Sequence, residues 1–152
     1  MNVAKCCLPI VLLAVTALPI QAAAQNCQHI TQEHALTLFE KWNDSLRSGD
    51  PEQVAQLYQN DALLLPTVSS QPRLTPQERI DYFHHFLADK PSGKLDSHHF
   101  QGACNSAILA GLYTFDFAAS GKQVAARYSF NYRWDGQQWL ISHHHSSLLP
   151  SG

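Results

Sequence analysis

The segment from Gln123 to Ser147 constrains this chain most. Its first half alternates: Ala126, Tyr128, Phe130, Tyr132 and Trp134 fall on one side of an extended strand, and Arg127, Ser129, Asn131 and Arg133 on the other. Asp135-Gly136 supplies a hairpin turn, and Gln138 to Ser147 runs back as a second strand. Alternation in the return strand puts Trp139, Ile141, His143 and His145 on one side, and Ser142, His144 and Ser146 on the other. The three consecutive histidines are thus divided two and one, and a single site cannot easily use all three. Two arrangements are open. The aromatic side is the helix-covered core with the polar side in water, a common state of antiparallel sheets; or the aromatic side meets another subunit while the polar side lines a cavity beneath helices.

Upstream of this hairpin the periodicity is helical. Thr31 is placed to cap a helix in which Ala35, Leu38, Phe39, Trp42 and Leu46 recur at helical spacing until Gly49. Asp50-Pro51-Glu52-Gln53 starts a second helix with Val54, Leu57 and Tyr58 as its apolar stripe. Ala62 to Val68 reads as a strand. Thr75-Pro76-Gln77-Glu78 opens a third helix carrying Ile80, Phe83, Phe86 and Leu87, which ends near Lys90-Pro91. After Gly93 the strands are Lys94–Gln101, Asn105–Phe117 and the two of the hairpin. The order α-α-β-α-β-β-β-β predicts an α+β domain with helices on one face of a curved, mostly antiparallel sheet.

The first 24 residues read as a secretory signal: Lys5, an apolar run from Cys6 to Ile20, and small residues ending at Ala24. That run is too short for a good membrane span. The domain expected after cleavage is 25–152, periplasmic or secreted. It carries nine basic side chains against twelve acidic ones, which offers no footprint for nucleic acid and no polybasic patch for membranes. Cys27 and Cys104 are left after the cut, and an oxidising compartment favours a structural disulfide between them over a redox or metal pair.

Sharper chemistries find little support. His143 and His145, with His98 or His99, face the right way for zinc, but no further ligand is placed by spacing, so no metal and no cofactor is expected. The pairs His84-His85 and His98-His99 read as surface or interface residues. The chain has no GxSxG elbow, no phosphate or dinucleotide loop, and no kinase motif. Arg47, Arg73 and Arg133 read as solvated, whereas Arg127 lies in mid-strand, where burial would demand a partner or a ligand.

The segment ARYSFNYRWDGQQWLISHHHSSLLP (126–150) resembles the end of the calcium/calmodulin-dependent protein kinase II association domain, and above all its bacterial, exported, kinase-free relatives. TPQERIDYFHHFL (75–87) and GLYTFDF (111–117) support the resemblance, which covers essentially the whole domain. It implies the nuclear-transport-factor-2-like cone, in which three helices pack on a curved sheet around a pocket and members associate through the sheet's outer face. It further implies that Tyr128, Phe130, Trp139, His143 and His145 form the subunit interface. Arg127, Asn131, His144 and Ser146, with Arg79 on the third helix and Tyr113 on the long strand, then bind a small polar or acidic molecule, such as a carboxylate. The family's animal members carry pocket arginines where this chain has Ser129 and Ser146, so the pocket is less basic. Ketosteroid isomerases and SnoaL-like cyclases share the cone, but the position of the isomerase aspartate is Leu65 here. Asp61 reads as a helix-end residue, and Asp116 and His144 are the substitutes on paper. The expected role is a homo-oligomer, dimer or higher, that binds a small molecule. The alternatives are an isomerase- or cyclase-like enzyme using His144, and a purely structural assembly hub.

Overall fold

The computed structural model describes residues 27–67 and 69–150; the expected signal at 1–24 lies outside them. Helix α1 (Gln32–Leu46) is capped by the Thr31 hydroxyl, and α3 (Pro76–Phe86) by a reciprocal Thr75–Glu78 capping box. Helix α2 (Pro51–Ala55) is a single turn started by Asp50, whose side chain accepts from the Glu52 and Gln53 amides. It is shorter than the spacing suggests. Leu57 and Tyr58 are not on its stripe; Tyr58 instead begins β1 (Tyr58–Leu65). The other strands are β2 (Pro91–Ala103), β3 (Ser106–Phe117), β4 (Lys122–Trp134) and β5 (Trp139–Leu148). They form one sheet in the order β1-β5-β4-β3-β2, antiparallel except for β1 beside β5.

One face of this sheet is packed under the helices. Ala35, Phe39, Trp42 and Leu46 of α1 are buried there against Leu109, Tyr128 and Phe130, which removes the largest apolar groups from water. Trp42 and Phe39 meet Phe130 edge-on at 5.0 and 5.7 Å between ring centroids. Asn43, buried on the same helix, donates to the Gly93 carbonyl and accepts the Gly93 amide, each at 2.8 Å, so a side-chain amide pins α1 to β2. At Gly111 of β3 there is no room for a side chain against β2: an added Cβ would lie 2.1 Å from the Ser97 carbonyl oxygen.

The aromatic side of β4 is therefore the helix-covered core, the first of the two arrangements open in the sequence. Tyr128, Phe130 and Trp139, assigned by resemblance to a subunit interface, are buried beneath the helices. Arg127 and Asn131, assigned to the pocket, lie on the opposite face, and Arg127 is exposed. Strand β5 departs from simple alternation for a local reason. Tyr132 pairs with Ile141 but Asn131 pairs with His143, leaving Ser142 as an extra residue in a β-bulge. Trp139 and Ile141 face inward before the bulge; His144 and Ser146 face inward after it, opposite Phe130 and Tyr128. His143 and His145 are on the outer face, no longer on the side of Trp139.

A disulfide joins Cys27 to Cys104 with a Cα separation of 5.1 Å. Beside it the Gln28 amide donates to the Asn105 side chain at 2.8 Å, and the Asn105 amide to the Gln28 carbonyl at 2.9 Å. The segment before α1 is thus stitched to the β2–β3 turn. No helix among the described residues is long and apolar enough to cross a membrane.

Candidate functional site

Between the helices and the inner face of the sheet lies an enclosed cavity of about 60 Å³. Its walls are mostly apolar, from Trp42, Leu64, Phe83, Phe115 and their neighbours, and no Asp, Glu, Lys or Arg among the described residues lines it. Its polar groups are Thr67, Tyr113, His144 and Ser146. The Tyr113 hydroxyl donates to Ser146 Oγ at 2.5 Å, and the Thr67 hydroxyl is in hydrogen-bond contact with the same oxygen. Burial holds the Tyr113 hydroxyl protonated, raising its pKa above the ordinary phenol value.

His144 belongs to a second chain of contacts. Trp42 Nε1–H donates to the Tyr58 hydroxyl at 3.0 Å, and that hydroxyl is 2.8 Å from His144 Nδ1. An indole nitrogen can only donate. Burial also raises the Tyr58 pKa well above 10, so its oxygen keeps its proton. The one proton of Tyr58 is therefore directed to His144 Nδ1, which accepts, and the imidazole proton sits on Nε2. Burial, reinforced by His143 and His145, pushes the His144 pKa down to about 3, so the ring is neutral. It stacks on Phe130 at 4.0 Å between centroids. His144 Nε2 has no hydrogen-bond partner among the described residues. The cavity wall thus includes a neutral ring with a spare buried donor, together with three linked hydroxyls.

Of the residues singled out in the sequence, Tyr113, His144 and Ser146 come together on this wall. Arg79 does not. It is 1% exposed, and its guanidinium donates to the carbonyls of Ala62, Gln59 and Asn60 at 2.6, 2.8 and 3.1 Å. It clamps the start of β1, and burial lowers its pKa. Arg133 pairs through one nitrogen with both oxygens of Asp61 at 2.9 Å on the surface, so Asp61 serves an ion pair and not a helix end. Asp116 is exposed and accepts from Gln123. Among the described residues no three His, Cys, Asp or Glu side chains converge as metal ligands, the pairs His84-His85 and His98-His99 included.

Trp42, Tyr58 and Thr67 were not among the candidates from sequence. Trp42 reads there as helix core, Tyr58 as helix stripe and Thr67 as part of the strand expected over Ala62 to Val68, which in the structure ends at Leu65. A buried tyrosine and tryptophan each need a partner for their polar atom, which is the one signal that points at them.

The chain matches the profile of the calcium/calmodulin dependent protein kinase II association domain over residues 31–150. Among solved structures it is similar to such an association domain from Xanthomonas campestris, at 40% identity and a TM-score of 0.74, over 78% of this chain and 87% of that one. It is also similar in fold to an iota-carbonic anhydrase from a cyanobacterium, complexed with bicarbonate. There the identity is 17% and the TM-score 0.71, over 81% of this chain and 94% of the other. An NTF2-like protein with a cystatin-like fold from Novosphingobium aromaticivorans aligns at 16% identity and a TM-score of 0.66, over 79% and 82% of the two chains. No curated protein sequence matches at a significant level.

Proposed function

Because the chain belongs to the calcium/calmodulin dependent protein kinase II association domain family, on the nuclear-transport-factor-2-like fold, we propose that its cone cavity binds a molecule of three or four heavy atoms and interconverts carbon dioxide and bicarbonate. The observation that carries this reading is that His144, whose Nε2–H has no partner among the described residues, and the linked Tyr113–Ser146–Thr67 hydroxyls line the same small chamber. About 60 Å³ is room for roughly two waters, or for one water-sized molecule and its partner. Sites for drug-sized ligands span about 300 to 1,000 Å³, which disfavours a steroid-like isomerase or cyclase substrate. The bicarbonate in the cyanobacterial structure of similar fold supports an oxyanion of this size.

In the forward direction a water oxygen bonds to the carbon of carbon dioxide, and a C=O π pair moves onto oxygen. The neutral His144 donates to the oxygen that gains charge, a preorganised donor in a site shielded from water. The water's proton passes to Ser146 as the Ser146 proton passes to Thr67, whose own proton goes to bulk water or buffer base, so that bicarbonate is left in the chamber and neither hydroxyl changes charge. Stopped-flow hydration of carbon dioxide by the purified domain, run with and without chelator, tests the reading. A rate above buffer that falls at least tenfold in Ser146→Ala and Tyr113→Phe is expected. A rate equal to buffer in the parent protein overturns it.

Self-association through the outer sheet face is part of the same proposal. Ile108 and Leu112 are 38% and 36% exposed there, and the family's association role supports a second copy as the cover. Leu112→Glu should lower the mass seen in native mass spectrometry; an unchanged mass, or a monomeric parent, refutes this half. Export is proposed on the strength of the 1–24 segment and of the Cys27–Cys104 disulfide, which suits an oxidising compartment. Periplasmic fractionation of the expressed full chain checks it.

A further inference from the structure

A wide cleft of about 780 Å³ opens to solvent beside the cone cavity, and the two share Tyr82, Phe86, Phe117 and Val124 as walls. These four residues form a collar between a charged exterior and an uncharged chamber. Outside the collar the cleft is lined by Arg73, Lys122 and His85 and by Glu78, Asp81 and Asp89; inside it no such charge is found among the described residues. The collar is ordered by aromatic packing. Tyr82 stacks on Phe86 at 5.6 Å with 17° between planes, and Phe86 meets Phe117 edge-on at 5.8 Å. The Arg73 guanidinium lies over the Tyr82 ring, 5.8 Å from its centroid. Arg73 is itself fixed: its backbone pairs with Leu64 at 2.8 and 3.0 Å, and its guanidinium donates to the Gln71 carbonyl and to Ser69 Oγ.

We infer that Tyr82 is the size-selecting residue of the cone, held at its entrance by its contacts with the Phe86 ring and the Arg73 guanidinium. The collar passes molecules of three or four heavy atoms and stops larger ones, and Arg73 is the positioning residue that keeps the phenol ring in place. The neck takes its substrate from the reaction proposed above, whereas its selectivity is measurable without turnover. Trp42 lines the chamber and is 1% exposed, so its fluorescence reports what gets through.

The other two tryptophans, Trp134 and Trp139, lie outside the chamber walls and are replaced by Phe for the measurement. In that background dioxygen should quench Trp42, while acrylamide, with five heavy atoms, should quench it poorly. Tyr82→Ala should raise the acrylamide quenching constant several-fold, Arg73→Gln should raise it by less, and Tyr82→Phe should leave it unchanged. The Trp42 emission maximum should stay in place throughout, because a wider neck does not hydrate the indole as loosened packing would. The inference is overturned if acrylamide already quenches the parent as strongly as Tyr82→Ala, or if the gain in Tyr82→Ala comes with a red-shifted emission. Where the Trp replacements do not fold, acrylamide protection is read instead from the intact chain, as the fraction of emission that stays unquenched; Tyr82→Ala must lower it. A protein inactive on carbon dioxide that still shows this ordering keeps the neck and loses only its substrate.

Discussion

His144 makes stability depend on pH in a way that can be calculated. Its pKa is about 3 in the folded chain and 6.5 when solvated. The unfolded chain therefore takes up a proton near pH 6.5 that the folded chain refuses until about pH 3. The stability linked to this group is complete above pH 6.5 and is lost as pH falls through that window, at about 1.36 kcal/mol per pH unit. Between pH 7.5 and 5.0 the loss attributable to His144 is ~2 kcal/mol, since about 1.5 units of the interval lie below 6.5. Asp50, Asp61, Glu78 and Asp135, whose folded pKa values are held below the ordinary 3.8 or 4.5, lose their own stability mainly as the unfolded chain takes up protons below pH 5.0, and they are present in both proteins compared. The comparison is with His144→Gln, which cannot titrate and whose carbonyl can accept from Tyr58. Urea unfolding at both pH values gives four midpoints, and the parent should lose ~2 kcal/mol more than the variant with unchanged slopes. His143, also lowered by burial, is present in both proteins and cancels. Parallel pH profiles would mean that His144 is hydrated or charged in the folded state, and the donor assigned to Nε2 would go with it.

Three other substitutions probe the architecture. Arg79→Leu strips two buried carbonyls and one part-buried carbonyl of their donor and should cost about 3 kcal/mol or more in urea unfolding, whereas Arg127→Ala on the exposed face should change stability by no more than about 0.5 kcal/mol. Gly111→Ala drives a methyl group into the Ser97 carbonyl and should part β2 from β3, seen as lost amide protection on both strands and a fall of about 2 kcal/mol or more. Opening the Cys27–Cys104 bridge with a double Ser replacement frees a loop of 77 residues and should lower stability by up to about 4.5 kcal/mol on the chain-entropy estimate; an unchanged urea midpoint would show that the Gln28–Asn105 hydrogen bonds suffice alone.

Local chemistry in the sequence was enough for the helix starts at Thr31 and Thr75, the α1 stripe and the α+β order, because each rests on contacts within a few residues or on a period, while the long-range disulfide was legible only because two cysteines are left after the expected cut. The placement of the aromatic side was also readable from the residues alone. Phe39 and Trp42 need an apolar floor, and Tyr128 and Phe130 supply it. Resemblance to proteins that associate through the sheet pulls those aromatics outward, and the packing does not follow. The bulge at Ser142 could not be read, because Ser142 to Ser147 is polar throughout and carries no apolar beat to mark a slip. The Trp42–Tyr58–His144 chain spans 102 residues and becomes visible only when β1 is laid parallel to β5.

That unpaired serine has a consequence for reading relatives of this chain. It works as a one-letter frameshift in the geometry of the last strand: upstream residues keep the phase of the hairpin, and everything after it is inverted. A homologue that keeps the serine but pairs it in regular register, with no bulge, would turn its first and third histidines inward and its second to the outside, even with an identical SHHHSS string. The chemistry of the chamber is therefore set by where the slip occurs as much as by which letters follow it. Deleting Ser142 from this protein would remove the bulge and leave His144 and Ser146 facing inward, because the remaining residues then alternate in the phase they already hold.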